Sequence, residues 1–129
     1  VILRSGVWNP AANCHLWLWV TNNFLEDGLG LMRTLGFRYV TNAVWVKVRM
    51  GLGQYLRGQH ELLLLGVRGS LPSRTRSRST LIQAPRREHS RKPDEAYELI
   101  EAVSPGPRLE MFARARRPGW DAWGDEVTE

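Results

Sequence analysis

The chain has 129 residues, of which 43% are hydrophobic and 24% are charged, and its formal net charge is +5. This length supports about one small domain with a single core, and six tryptophans exclude a chain that is disordered throughout. A single cysteine excludes an internal disulfide and a cysteine-rich zinc site. No apolar run approaches the roughly 20 residues that a membrane helix needs. We therefore expect one domain with no metal and no membrane span, in a reducing, cytoplasmic setting.

Arginine dominates the basic residues, since only Lys47 and Lys92 among the 18 are lysines. The arginine side chain binds phosphate and planar groups through a rigid fork of hydrogen-bond donors. The charge balance therefore indicates a polyanionic partner such as nucleic acid. A merely solvated, arginine-rich surface is the alternative that charge alone leaves open.

Hydrophobic patterning predicts strands that alternate with helices. Dense runs of apolar, β-branched and aromatic residues indicate strands, and apolar residues on one face indicate helices. Gly36 is expected to end the first helix, and His60 is predicted to be a core histidine with hydrogen-bond partners. The resulting α/β fold has a largely parallel sheet covered on both faces. In chain order we predict an irregular segment over 1–13, a strand over 15–21, a helix over 24–35, strands over 37–48 and 60–67, a helix over 93–103, a strand over 108–113, and a loop that ends in one turn of helix.

A basic, polar stretch over about 70–88 interrupts this pattern. Residues 73–79 read SRTRSRS, and the composition predicts a mobile loop within a single domain that covers residues 14–129.

Common catalytic motifs are absent from the sequence: there is no G-x-S-x-G elbow and no phosphate loop ending in Gly-Lys-Ser or Gly-Lys-Thr. Three stretches carry candidate chemistry instead. Lys47 lies at the carboxyl end of a predicted strand, where ligands bind in open α/β sheets. Residues 90–95 open a helix with free backbone N–H groups, and residues 109–126 place carboxylates where ribose hydroxyls are commonly bound. Taken singly, each stretch also fits a structural role: Lys47 as a solvated lysine, residues 90–95 as a helix cap and residues 109–126 as a solvated tail.

Taken together, these stretches resemble the adenine N(6)-methyltransferases, which include the catalytic subunit of the mRNA adenosine methyltransferase and many bacterial and phage DNA enzymes. The matching segments are 16–22 (LWLWVTN), 36–69, 84–101 and 109–127, in the family's order and closest to its prokaryotic and phage branch. The resemblance implies a Rossmann-like methyltransferase fold with permuted motif order. It also implies S-adenosylmethionine as cofactor and the N(6) amine of adenine in nucleic acid as acceptor, with DNA favoured over RNA.

The resemblance further implies which residues bind the cofactor. The strand near Glu110 is the family's cofactor strand, Lys47 reaches the cofactor's carboxylate end, and the helix that starts near Lys92 packs beside the pocket. Many members carry asparagine where this chain has Asp125. The full set of expected cofactor residues is Lys47, Lys92, Glu110, Phe112, Arg114, Arg116, Arg117, Asp125 and Glu126.

The same resemblance gives the arginines a role. Arg49 and Arg57 fall in a loop that flanks the expected substrate cleft, and the others could follow a phosphate backbone, positioning the protein without reading sequence. For residues 73–79 a solvated loop is the alternative. The expected nucleic-acid contacts are Arg49, Arg57, Arg74, Arg76, Arg78, Arg86 and Arg87.

One departure from the family concerns catalysis. Its Asp-Pro-Pro-Trp signature is expected upstream of residue 16, but Trp8-Asn9-Pro10 does not supply it. In the family the aspartate accepts a hydrogen bond from the adenine amine, and the tryptophan stacks on the flipped base. We therefore expect this chain not to methylate by itself, either as a fragment incomplete at its N-terminus or as a degenerate homologue. The alternatives are an inactive nucleic-acid-binding subunit of a homo- or heterodimer, and a small arginine-rich binding protein without a cofactor pocket.

Overall fold

The computed structural model describes residues 10–87, 91–112 and 116–123. These residues form six strands and two α-helices, with a 3-10 turn at Asn22–Phe24 directly before the first helix. The strands are β1 (Cys14–Val20), β2 (Arg38–Val46), β3 (His60–Arg68), β4 (Leu81–Gln83), β5 (Arg108–Met111) and β6 (Trp120–Trp123), and the helices are α1 (Leu25–Thr34) and α2 (Asp94–Val103).

The main sheet has four strands in the order β1-β3-β2-β4. Strand β3 is antiparallel to both β1 and β2, while β2 and β4 are parallel. The prediction of a largely parallel sheet is therefore wrong for its central strand. The reason is that residues 47–59 join β2 to β3 directly, without the helical crossover that a parallel pair needs. As a result, β1, β2 and β4 all end at the edge where β3 begins, which we call the carboxyl edge.

Helices cover both faces of this sheet, as predicted. Successive residues of a strand point to opposite faces, and the neighbours Leu63 and Leu64 of β3 accordingly belong to different cores. Leu63 packs in a core with Trp45 and residues of α2 such as Leu99. Leu64 packs on the other face with Met32 of α1.

The position of helix α1 and the residue that ends it agree with the sequence prediction. Gly36 has a φ of +89°, a conformation that glycine adopts without steric cost, and it follows the helix as expected. Gly28 lets α1 approach β1, because a Cβ at this position would come within 2.5 Å of Val20 Cγ1.

Three local predictions differ from the structure. His60 is exposed, and the buried polar residue is its neighbour Glu61, 7% exposed, because adjacent strand residues face opposite sides. The C-terminal stretch that was predicted as a loop contains β6 over Trp120–Trp123, parallel to β5, and the helical turn expected at its end lies outside the described residues. Within the stretch 70–88, β4 pairs with β2, and its Ile82 is 4% exposed. The mobility of the rest of that stretch stays a prediction.

Candidate cofactor site

Three charged side chains meet at the carboxyl edge. Lys47 directly follows β2, Glu61 is the second residue of β3, and Lys92 lies two residues before α2. The Nζ atom of Lys47 lies 3.0 Å from Oε2 of Glu61, and Nζ of Lys92 lies 2.6 Å from Oε1. The structure thus brings together two of the predicted cofactor residues, 45 positions apart in the sequence, on one buried carboxylate.

Two tryptophan rings complete this lysine–glutamate cluster. Nζ of Lys47 lies 4.9 Å from the centroid of the Trp45 ring, and Nζ of Lys92 lies 4.9 Å from that of Trp19. The two rings pack edge to face, with centroids 5.8 Å apart. Ring faces attract cations, so each ammonium group is held between an aromatic face and the carboxylate.

The cluster carries a net positive charge. Burial raises the pKa of Glu61, but hydrogen bonds and charge from Lys92 and Lys47 outweigh this and bring the pKa below its ordinary value. The carboxylate is therefore ionised at neutral pH, and one positive charge is left over from the two lysines. Such a cluster is suited to an anionic group of a ligand.

A second group of side chains lies on α2 and the two C-terminal strands. The hydroxyl of Tyr97 donates a hydrogen bond of 2.7 Å to Oε2 of Glu110. The guanidinium carbon of Arg117 lies 4.7 Å from the centroid of the Tyr97 ring, which packs edge to face on Trp120 at 5.4 Å. Burial, followed by the hydrogen bond to Glu110, raises the pKa of Tyr97.

Ion pairs connect this second group to the start of α2. Nε of Arg117 lies 3.3 Å from Glu101 Oε2, which also accepts a 2.7 Å hydrogen bond from Trp120 Nε1. The hydrogen bond from Trp120, with help from Arg117, lowers the pKa of Glu101. Arg117 also reaches Asp94 Oδ1 at 3.6 Å, and Arg87 reaches the same oxygen at 3.3 Å. Because Asp94 is the first residue of α2, two positions after Lys92, both groups border the same helix start.

The remaining predicted cofactor residues belong to the C-terminal part of the chain. Phe112 has a φ of +59°, is 63% exposed and packs its ring edge to face on Trp123 at 5.3 Å. Arg116 is exposed. Arg114, Asp125 and Glu126 lie outside the described residues.

The seven predicted nucleic-acid arginines fall into two groups, one near the carboxyl edge and one in the loop over 70–80. Arg57 donates to Gly51 O at 3.3 Å, and the side chain of Arg86 lies against Gly51, so these two border the loop over 47–59 near the carboxyl edge. Arg49 belongs to the same loop and is exposed, while Arg87 pairs with Asp94. The remaining three, Arg74, Arg76 and Arg78, belong to the loop over 70–80.

The sequence prediction missed Glu61 and the aromatic residues around it. A signal was available for Glu61, because an acidic residue within a strand predicted to be buried requires a positively charged partner. Tyr97 and Glu101 stand four positions apart on α2, the spacing at which helical side chains share a face. Nothing local in the sequence indicates that Trp19 and Trp45 meet, since their strands are separated by β3.

No three histidine, cysteine or acidic side chains come together as metal ligands within residues 10–87, 91–112 and 116–123. Neither helix in these ranges has the length and apolar character to cross a membrane.

Comparison with known proteins identifies the family. The sequence profile of the MT-A70 family matches residues 9–126. The chain is 33% identical over 123 residues to the Type II methyltransferase M.MunI of Mycoplasma sp, a match that covers 92% of this chain and 53% of the relative. It is 34% identical over 124 residues to the N(6)-adenosine-methyltransferase catalytic subunit METTL3 of Homo sapiens, covering 87% of this chain and 21% of the relative.

A plant relative gives a similar result: the N(6)-adenosine-methyltransferase MT-A70-like protein of Arabidopsis thaliana is 33% identical over 123 residues, which is 87% of this chain and 18% of the relative. The chain thus spans about half the length of the Mycoplasma relative and about a fifth of the other two. With a family profile that matches nearly its whole length, the chain belongs to the MT-A70 family, a methyltransferase family of N(6)-adenine methylases.

Proposed function

We propose that the carboxyl edge binds S-adenosylmethionine, and that the chain acts in methyl transfer to the N(6) amine of adenine in nucleic acid. The observation that carries this proposal is the convergence of Lys47 and Lys92 on Glu61, beside the start of α2. Family resemblance selects these two lysines from distant segments, and the fold makes them neighbours at the sheet edge where α/β proteins bind ligands.

The side chains present fit the groups that the cofactor carries. The surplus positive charge of the lysine–glutamate cluster suits its carboxylate. Glu110 uses Oε2 to accept from Tyr97, which leaves Oε1 for ribose hydroxyls. The exposed ring of Phe112 offers an apolar face for adenine. When bound, the cofactor supplies a methyl group activated by its sulfonium, and these residues hold and orient it, so positioning is the main contribution of the protein.

The 129 residues contain no Asp-Pro-Pro-Trp, the segment that in the family receives the adenine amine. We propose that the chain binds cofactor without turnover by itself. A second candidate function, a non-catalytic nucleic-acid-binding subunit in a homo- or heterodimer, is supported by the net charge of +5.

Calorimetric titration with S-adenosylmethionine tests the cofactor site. We expect one-to-one binding, weakened by about 1–3 kcal/mol in Glu110→Gln because a hydrogen bond to a charged group is lost. The matched control is Glu98→Gln, which removes the same charge from an exposed position of α2 and should leave the affinity unchanged. Equal affinities of the Glu110 variant and the wild type would contradict the cofactor assignment, and absence of binding by the folded chain would favour the second candidate.

Measuring how binding to DNA and to RNA of one sequence depends on salt concentration tests the substrate class. We favour DNA as the substrate. If Arg86 and Arg87 contact phosphates, replacing both with glutamine should reduce the slope of log K against log[salt] by about 2 for duplex DNA. Arg33→Gln, at an exposed position of α1, is the control. An unchanged slope would remove both arginines from the interface, and tighter binding to RNA would reverse the preference.

A further inference from the structure

A cavity of about 430 Å³ lies at the end of the sheet opposite the carboxyl edge. Its apolar part comes from residues such as Trp17 of β1, Ala43 of β2 and Val67 of β3, and Leu99 of α2 closes one side. The loop over 70–80 covers it. None of the described residues of the proposed cofactor site lines this cavity, so it is a separate feature of the molecule.

The covering loop is fixed at several points. The carbonyl of Leu71 accepts a 2.6 Å hydrogen bond from Nε2 of His15. The amide of Arg74 donates to the carbonyl of Val103 at the end of α2, at 2.8 Å. The carbonyl of Thr80 accepts from the amide of Val44 in β2, at 2.7 Å. The loop over the cavity is therefore hydrogen-bonded to β1, α2 and β2.

The chemistry of the lining favours an anion with an apolar body. Arg38 and Arg78 both line the cavity, and neither is in an ion pair within the described part of the chain. Hydroxyl groups add donors around them, including those of Thr41, Thr75 and Ser79. No acidic side chain is among the described lining residues. Nη1 of Arg38 donates a 2.7 Å hydrogen bond to the carbonyl of Gly69, which leaves the other N–H groups of this guanidinium for a ligand.

We propose that this cavity binds a nucleoside monophosphate, free or as one unit of a single strand, with its phosphate on Arg38 and Arg78 and its base over the apolar floor. Arginine binds phosphate through paired N–H donors. The volume falls in the range of roughly 300–1,000 Å³ that is typical of small-molecule sites. This inference is independent of the proposed cofactor site, which lies at the other end of the sheet.

Calorimetric titration of the 129-residue chain with cytidine monophosphate tests the proposal. We expect saturable one-to-one binding, and about tenfold weaker binding in Arg78→Gln, since a charge-assisted hydrogen bond is lost. Arg33→Gln is the matched control, because it removes the same charge from an exposed position of α1 that does not line the cavity. Thr41→Trp, which fills the cavity from an exposed strand position, is expected to abolish binding.

Several outcomes would overturn the proposal. These are no binding of either cytidine monophosphate or a short oligocytidylate, equal losses in the Arg78 and Arg33 variants, and displacement of cytidine monophosphate by S-adenosylmethionine. Binding of cytidine monophosphate that depends on Arg78 identifies the free nucleotide as the ligand. The same dependence seen only with the oligocytidylate identifies a nucleotide unit of a strand.

Discussion

Replacing Glu61 with glutamine isolates the electrostatic role of the lysine–glutamate cluster. Glutamine keeps the size of the side chain and removes its charge. The ammonium groups of Lys47 and Lys92 then face each other at the carboxyl edge without a counter-charge. We therefore expect this substitution to destabilise the fold as well as the proposed site.

The distances set the magnitude of this loss. Coulomb's law with an effective dielectric constant of about 20 gives roughly 5.5–6.5 kcal/mol of attraction for each ion pair, at 3.0 and 2.6 Å. The cost of burying the charges offsets much of this, and removal of one partner from a buried pair costs about 3–5 kcal/mol. The side chains of Lys47 and Lys92 are 17% and 24% exposed, so both can move towards water after the substitution. We expect a loss of about 3 kcal/mol, at the lower end of that range.

Urea denaturation at pH 7, followed by tryptophan fluorescence, measures the free energy of unfolding. Glu98→Gln is again the control, since it removes an exposed carboxylate and should change stability by less than about 0.5 kcal/mol. A second variant, Lys92→Met, removes one ammonium group and leaves Glu61 paired with Lys47, so its loss should be smaller. A loss below about 1 kcal/mol in Glu61→Gln, the level of an exposed ion pair, would refute the view of the cluster as a buried, coupled unit.

Three further predictions concern pH, packing and one hydrogen bond. Because the pKa of Glu61 is lower in the folded than in the unfolded chain, its stabilisation is complete above its ordinary pKa of 4.5 and is lost as the pH falls through the folded pKa. The gap in stability between wild type and Glu61→Gln should therefore shrink in urea titrations from pH 6 to pH 3, and a constant gap would argue against this linkage. Met32→Ala, at a fully buried position of α1, should cost about 2–5 kcal/mol in the same assay, and a loss under 1 kcal/mol would mean that α1 packs loosely. Trp120→Phe removes the hydrogen-bond donor to Glu101 and should lower the free energy of unfolding by about 1–2 kcal/mol. It should also raise the pKa of Glu101 in an NMR titration. An unchanged pKa would show that this hydrogen bond is not formed in solution.

Local patterning was sufficient to predict most elements of the fold. The helices over 24–35 and 93–103 and the strands over 15–21, 37–48 and 60–67 all correspond to elements of the structure, because apolar periodicity and helix-ending residues act over a few positions. Strand direction was not predictable in this way, because a buried parallel strand and a buried antiparallel strand look alike in sequence. The connection between β2 and β3 determines the direction of β3, because residues 47–59 turn the chain back beside β2 without a crossover.

The candidate site was predictable only in part. Family resemblance selected Lys47, Lys92 and Glu110, but their immediate partners depend on which strands and helices become neighbours. Glu61 could have been inferred from the cost of an unpaired buried carboxylate. The pairing of Tyr97 with Glu110 joins α2 to β5, and no pattern in either segment encodes that contact.

The central position of β3 has a consequence for the order in which the chain can fold. Strands β1 and β2 do not pair with each other, and both pair with β3, so the three-strand core of the sheet cannot assemble before residues 60–68 are available. The hairpin of β2 and β3 is local, whereas β1 must close a longer loop to bring Val20 opposite Leu62, at a greater cost in chain entropy. We therefore expect substitutions that weaken the β2–β3 hairpin to slow folding, and those confined to β1 mainly to speed unfolding.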